Sequence, residues 1–192
     1  MKKLIPPLMM IFVLLFGCSP DANVISPVES SVKTQAQLIK LPAPQGLAIE
    51  TLITRSKYID GSVGGYFTEQ FSYETSEGTV TITSKLVFPA NSFSGSKAIT
   101  QTFNTETASL EFGPSMIFNS PVKYSLTISG IDLSNVNSNS IDFAYVAPDG
   151  SLTGVNYDSI GFDLATNSII VNNAQLNHFS RYGFINSIII LQ

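Results

Sequence analysis

Residues 78–88 read GTVTITSKLVF. Val80, Ile82, Leu86 and Phe88 fall on one side of an extended chain, and Thr79, Thr81, Thr83 and Lys85 on the other. An apolar period of two, carried by β-branched and aromatic residues, is the signature of a strand with one buried face. The same rhythm recurs downstream. Residues 121–130, PVKYSLTISG, set Val122, Tyr124, Leu126 and Ile128 against Lys123, Ser125 and Thr127. Residues 140–147, SIDFAYVA, align Ile141, Phe143 and Tyr145.

Turn chemistry separates these runs: Ser76-Glu77-Gly78, Gly113-Pro114-Ser115, Pro148-Asp149-Gly150 and Ala165-Thr166-Asn167, with a polar loop at 135–140. Glycine, proline, asparagine and aspartate reverse the chain at low steric or entropic cost. GSVGG at 61–65 lacks the spacing and the following helix of a phosphate-binding loop and reads as another turn. Outside the first 16 residues no stretch carries a helical period of adequate length. Many short strands at regular spacing predict an all-β fold, a single antiparallel β-sandwich over 47–192.

The N-terminus explains the only cysteine. Lys2 and Lys3 precede an apolar run from Leu4 to Phe16, then Gly17 and Cys18. This is the layout of a secretory signal peptide over 1–17. The run is shorter than the roughly 20 residues of a spanning helix, and Pro6 and Pro7 interrupt its start. Leu15, Gly17 and Cys18 resemble the lipobox of bacterial lipoproteins, with Phe16 departing from the usual residue at its position. The resemblance implies that Cys18 carries a diacylglyceryl thioether and becomes the mature N-terminus. Each buried methylene contributes about 0.8 kcal/mol, so two or more acyl chains anchor durably. Ser19, where an inner-membrane lipoprotein would have Asp, favours the outer membrane, facing either the periplasm or the outside.

Residues 18–46 contain four prolines and read as lipidated cysteine plus tether, with a short first strand at 37–41 ended by Pro42 and Pro44. A flexible segment of about 18 residues spans roughly 25 Å. Removing the signal and its two lysines leaves 175 of 192 residues and takes the net charge from −4 to −6. A chain of that size builds one full core. With Cys18 acylated no thiol is left for a disulfide, so packing and hydrogen bonding must hold the fold. Only 12% of residues are charged, and no basic cluster exists to displace counterions, which excludes a nucleic-acid partner.

The middle of the chain, about 58–130, resembles the ZU-type β-sandwich of ankyrins, netrin receptors and zonula-occludens proteins. The shared elements are Gly64-Gly65, the strand 80–88, Pro89-Ala90, Phe93, then Gly113-Pro114, Phe118 and Pro121-Val122. The resemblance implies a ZU-type or Ig-like sandwich and a tendency toward protein–protein contact. The ankyrin repeats or death domain of the animal proteins are absent from this sequence.

Catalytic and metal chemistries find little to work with. His178 is the single histidine, no Gly-x-Ser-x-Gly elbow exists, and Ser180 lies too near along the chain to be its nucleophile. His178 is expected to pack beside the last strand, with Phe179 and Tyr182 entering the core. One imidazole cannot build a zinc site. Asp132, Asp142, Asp149, Asp158 and Asp163 lack the calcium-loop spacing and read as turn formers. The expectation is therefore a membrane-anchored envelope lipoprotein without catalytic residue, metal or cofactor. Its partners are the membrane, through Cys18, and an envelope or surface protein met by loops 135–140 and 148–154. Two other readings stay open. One is a carbohydrate-active enzyme or carbohydrate-binding module using Tyr66, Tyr73, Tyr145 or Tyr157 as platforms. The other is an assembly subunit that exchanges the apolar tail 187–192, SIIILQ, although a last strand buried in the sheet is the expected state of that tail.

Overall fold

A computed structural model describes residues 33–46, 51–134, 136–137 and 139–190. Cys18 and the expected signal peptide, residues 1–17, lie outside them. The described chain forms twelve strands: β1 (Lys33–Leu38), β2 (Leu52–Asp60), β3 (Gly65–Thr75), β4 (Gly78–Phe88), β5 (Ser96–Asn104), β6 (Ser109–Gly113), β7 (Ile117–Ser129), β8 (Ile141–Val146), β9 (Leu152–Gly154), β10 (Ser159–Asp163), β11 (Ser168–His178) and β12 (Arg181–Ile190). They make two antiparallel sheets packed face to face, the expected β-sandwich. One sheet runs β2-β5-β6-β12-β8-β9 with β1 added alongside β12; the other runs β10-β11-β7-β4-β3.

The alternation read from the sequence is the alternation of burial. Val80, Ile82, Leu86 and Phe88 on β4, and Val122, Tyr124, Leu126 and Ile128 on β7, all enter the core. Hairpins turn where expected, at Ser76-Glu77, 147–151 and 164–167. Gly64 shows why one glycine in GSVGG is required. Its φ is +80°, and a Cβ there would sit 2.5 Å from the carbonyl oxygen of Phe88.

Because strand pairs alternate between sheets, the sandwich has two distinct ends. At the far end lie the connections β2–β3, β4–β5, β6–β7, β8–β9 and β11–β12. A spine of rings fills this half: Phe118 meets Phe179 edge-on at 4.8 Å, Phe179 stacks on Phe112 at 5.1 Å, and Phe112 meets Tyr124 at 5.0 Å. Phe143 extends the contacts, stacked on Tyr182 at 6.3 Å and edge-on to Phe184 at 5.3 Å. Each fully buried ring of this kind contributes about 1.5–3 kcal/mol.

At the opposite, entry end, Lys33 of β1 pairs with Ile190 of β12. Here the boundary drawn at residue 47 moves back. Ile39 and Leu41 are core residues, and β1 pairs with Ile185–Ile190, so the fold starts at Lys33 and residues 33–46 are not tether. The prolines do not interrupt this strand. They follow it, and Pro44 bridges to Thr75. The first strand lies at 33–38, ahead of the expected 37–41, with one further bridge from Lys40 to Thr107.

The apolar tail belongs to the sheet. Over Arg181–Asn186 β12 is interior, flanked by β8 on one side and by β6, then β1, on the other. Past Asn186 the partner of its backbone is β1, with one bond from Ser187 N–H to the Ser140 carbonyl. Leu191 and Gln192 lie outside the described residues.

Candidate functional site

The two lateral sides of the sandwich differ. On one side β2 and β3 are the edges, and the inward row of β2 carries Arg55 and Lys57. Arg55 pairs with Glu69 at 3.7 Å and lies 5.9 Å above the Phe71 ring. Lys57 Nζ sits 4.9 Å from the centre of the Tyr66 ring and donates to the Tyr66 carbonyl. Long cationic side chains thus close the gap between the sheets.

On the other side the edges are β9, three residues long, and β10, five residues long. β10 covers only Ser168–Asn172 of β11. The rest of that edge, toward the far end, is met by the β9–β10 connection through Gln175 N–H to the Asn156 carbonyl at 2.8 Å. The sheets stay apart there and leave a cleft of about 200 Å³.

Three rings converge on the cleft. Tyr145 and His178 stand perpendicular at 4.9 Å, and Tyr182, almost fully buried, lies 5.8 Å from Tyr145 and 5.9 Å from His178. The Tyr182 hydroxyl donates to the His178 carbonyl at 2.8 Å, tying the β11–β12 corner to the cleft wall. Burial, with the Tyr145 phenol beside it, keeps the Tyr182 hydroxyl protonated far above its ordinary range. Thr153, Asn156, Gln175 and Asn177 complete the lining. Gln175 and Asn177 border the cleft from β11, on the face opposite the core row of Ala174 and Leu176. Asn173 takes a left-handed φ of 53°, and the register with β7 shifts across it, re-aiming the residues that follow.

His178 therefore packs beside the last strand as expected, with Phe179 and Tyr182 in the core. Ser180 is at the corner and lines a separate far-end hollow with Glu111 and Arg181. Of the four candidate platforms, Tyr145 lines the cleft. Tyr157 sits near it, its hydroxyl shifted upward by burial and by the neighbouring Asp142 carboxylate. Tyr66 and Tyr73 belong to β3, on the opposite side. Tyr73 donates to the Thr105 carbonyl at 3.5 Å, and burial pushes it up to about 12.

The five aspartates do not meet. Asp132, Asp149 and Asp163 each accept a backbone N–H two residues on, from Ser134, Ser151 and Ala165. Those bonds, with Ser134, Ser151 and Thr166 hydroxyls, hold the three carboxyls below their usual range. Asp142 accepts from the Phe143 N–H, and Asp158 from the Asn173 side chain. Among the described residues no three potential metal ligands come together. Loop 148–154 stands at the far end beside the cleft, whereas the described part of loop 135–140, residues 136–137 and 139–140, is at the entry end.

The alternation conceals a polar element in the core. Ser84 lies in the inward row of β4 and donates to Gln101 Oε1 across the sandwich at 3.1 Å. It also neighbours the Tyr124 hydroxyl, which burial keeps protonated and which makes no well-formed hydrogen bond within the protein.

Comparison with protein families, with curated proteins and with solved structures returns no match to this chain.

Proposed function

We propose that this chain is a bacterial envelope lipoprotein, held at the outer membrane through an acylated Cys18, whose β-sandwich is a non-catalytic binding module. The observation that carries the reading is the sequence of Lys2-Lys3, the apolar run 4–16 and LLFGC, a processing signal with its single cysteine at the cleavage point. The direction of the chain supports it. A tether leading from Cys18 enters the sandwich at Lys33, and β12 runs eight residues from Ile190 back to Tyr182. At about 3.3 Å per residue that is roughly 26 Å. The cleft and loop 148–154 thus lie in the half of the sandwich opposite Lys33, where the described chain begins. Confinement to a surface raises the effective concentration of such a module toward other envelope components.

The test is metabolic labelling with radioactive palmitate and membrane fractionation of cells producing wild type or Cys18→Ser. Label and membrane retention are expected in wild type and lost in the variant. A Cys18→Ser protein that sediments with membranes as firmly as wild type sinks the anchor. Protease shaving of intact cells then separates a surface-exposed domain from a periplasmic one.

A further inference from the structure

We propose that the cleft between β8–β9 and β11 binds a neutral saccharide, one sugar ring at a time. This deepens the binding-module reading and rests on it, but not on the lipid.

The lining carries no carboxylate, ammonium or guanidinium. None of its residues is Asp, Glu, Lys or Arg, so a cationic ligand would give up hydration without a carboxylate to replace it. It is also two-natured. Tyr145 and His178 offer half-buried ring surface, while Thr153, paired with Tyr145 across β8–β9, and Asn156 bring a hydroxyl and an amide that is both donor and acceptor. A pyranose has the complementary form, an apolar C–H face ringed by hydroxyls, and a volume of about 200 Å³ suits a single ring.

The walls are set in advance. Tyr145 is held at right angles to His178, and Tyr182 locks the backbone that carries His178. Binding need not freeze those rings, which lowers its entropic cost. A peptide strand added to the β11 edge is the natural competitor, and the backbone disfavours it. Gln175 N–H is spent on Asn156, and Asp158 N–H bonds the Asn172 carbonyl at 2.9 Å, so the β9–β10 connection already occupies that edge.

The single histidine is a built-in reporter. Full-length Cys18→Ser protein, ¹³C-labelled at histidine, is titrated with methyl glycosides of neutral hexoses, N-acetylhexosamines and deoxyhexoses, with glucuronate and an uncharged hexapeptide alongside. At least one neutral glycoside is expected to move the imidazole resonance saturably. Thr153→Ala and Asn156→Ala, both off the core, should each weaken that binding about tenfold, the worth of one to two hydrogen bonds. Tyr66→Ala, across the sandwich, should leave it unchanged. Silence of the imidazole toward every neutral glycoside overturns the proposal. So does a stronger response to glucuronate or the peptide, or a sugar shift indifferent to both the Thr153 and Asn156 variants. A peptide response alone leaves the binding module standing with a different ligand. Failure of palmitate labelling leaves the cleft untouched.

Discussion

Along β2–β3 the space between the sheets is bridged by Arg55 and Lys57, whose aliphatic stems and cationic heads cover Phe71 and Tyr66. Along β9–β10 nothing long reaches across, the strands are short, and rings and amides are left facing a cleft. Inward-pointing charges on β2 also keep that nine-residue edge from recruiting another chain, a common protection of sheet edges. The side that is sealed spends its polar groups on closure. The side that is open keeps them unspent.

The largest expected difference comes from aromatic truncation. Tyr182→Ala removes a nearly fully buried ring that is both core and cleft wall, and should cost about 3–5 kcal/mol in denaturant unfolding. Phe71→Ala, half-buried beneath Arg55, should cost less, about 1–3 kcal/mol. Equal losses would mean the closed side carries as much of the core as the open one.

Next in size is local opening. β9 has only β8 as partner, over three residues, whereas β2 is paired with β5 along all nine. Amide hydrogen exchange at Leu152–Gly154 should run at least about tenfold faster than at the bonded positions of β2. Comparable protection would show that the cleft side is as firmly held as the bridged one.

An alkaline effect follows, on the closed side. Tyr73 ionises about 12 in the folded protein against 10.0 as the ordinary value, because burial disfavours the phenolate. Between those values the unfolded chain has given up a proton that the folded state still holds. Stability is therefore intact below pH 10 and falls as pH rises toward 12. Tyr73→Phe should flatten part of that fall, measured as denaturation midpoint against pH; an unchanged slope would assign the fall to Tyr124 and Tyr182. Smallest of all is Arg55→Ala. Its ion pair with Glu69 is partly exposed, so the loss should stay within about 1 kcal/mol and shrink with added salt.

Much of this architecture was legible because burial and period coincide. On β4 and β7 every inward apolar residue could be read two apart, and the hairpins at 76–77, 147–151 and 164–167 announced themselves through their turn residues, whereas the β5–β6 turn at 105–108 did not. Elsewhere local pattern and tertiary context part company. Ser84 occupies an inward position, yet its partner Gln101 is 17 residues away and visible only when the sheets face each other. Residues 33–36 look like tether because polar residues and nearby prolines mask the start of a strand whose value lies in covering the flank of β12. Nothing local to Arg55 and Lys57 marks them as inward; only an edge strand turns them against the Phe71 and Tyr66 rings. The cleft was least legible. Tyr145 and His178 are 33 positions apart in sequence, and their meeting depends on β10 being too short to cover all of β11.

The pairing of Lys33 with Ile190 has a mechanical consequence. If the domain is pulled through its N-terminus while gripped at its far half, the force runs along β1 rather than across it. The hydrogen bonds joining Lys33–Leu38 to β12 stand perpendicular to that pull and share it as a shear load, instead of parting one by one like a zip. The strand that opens the described chain is thus the one placed to bear tension.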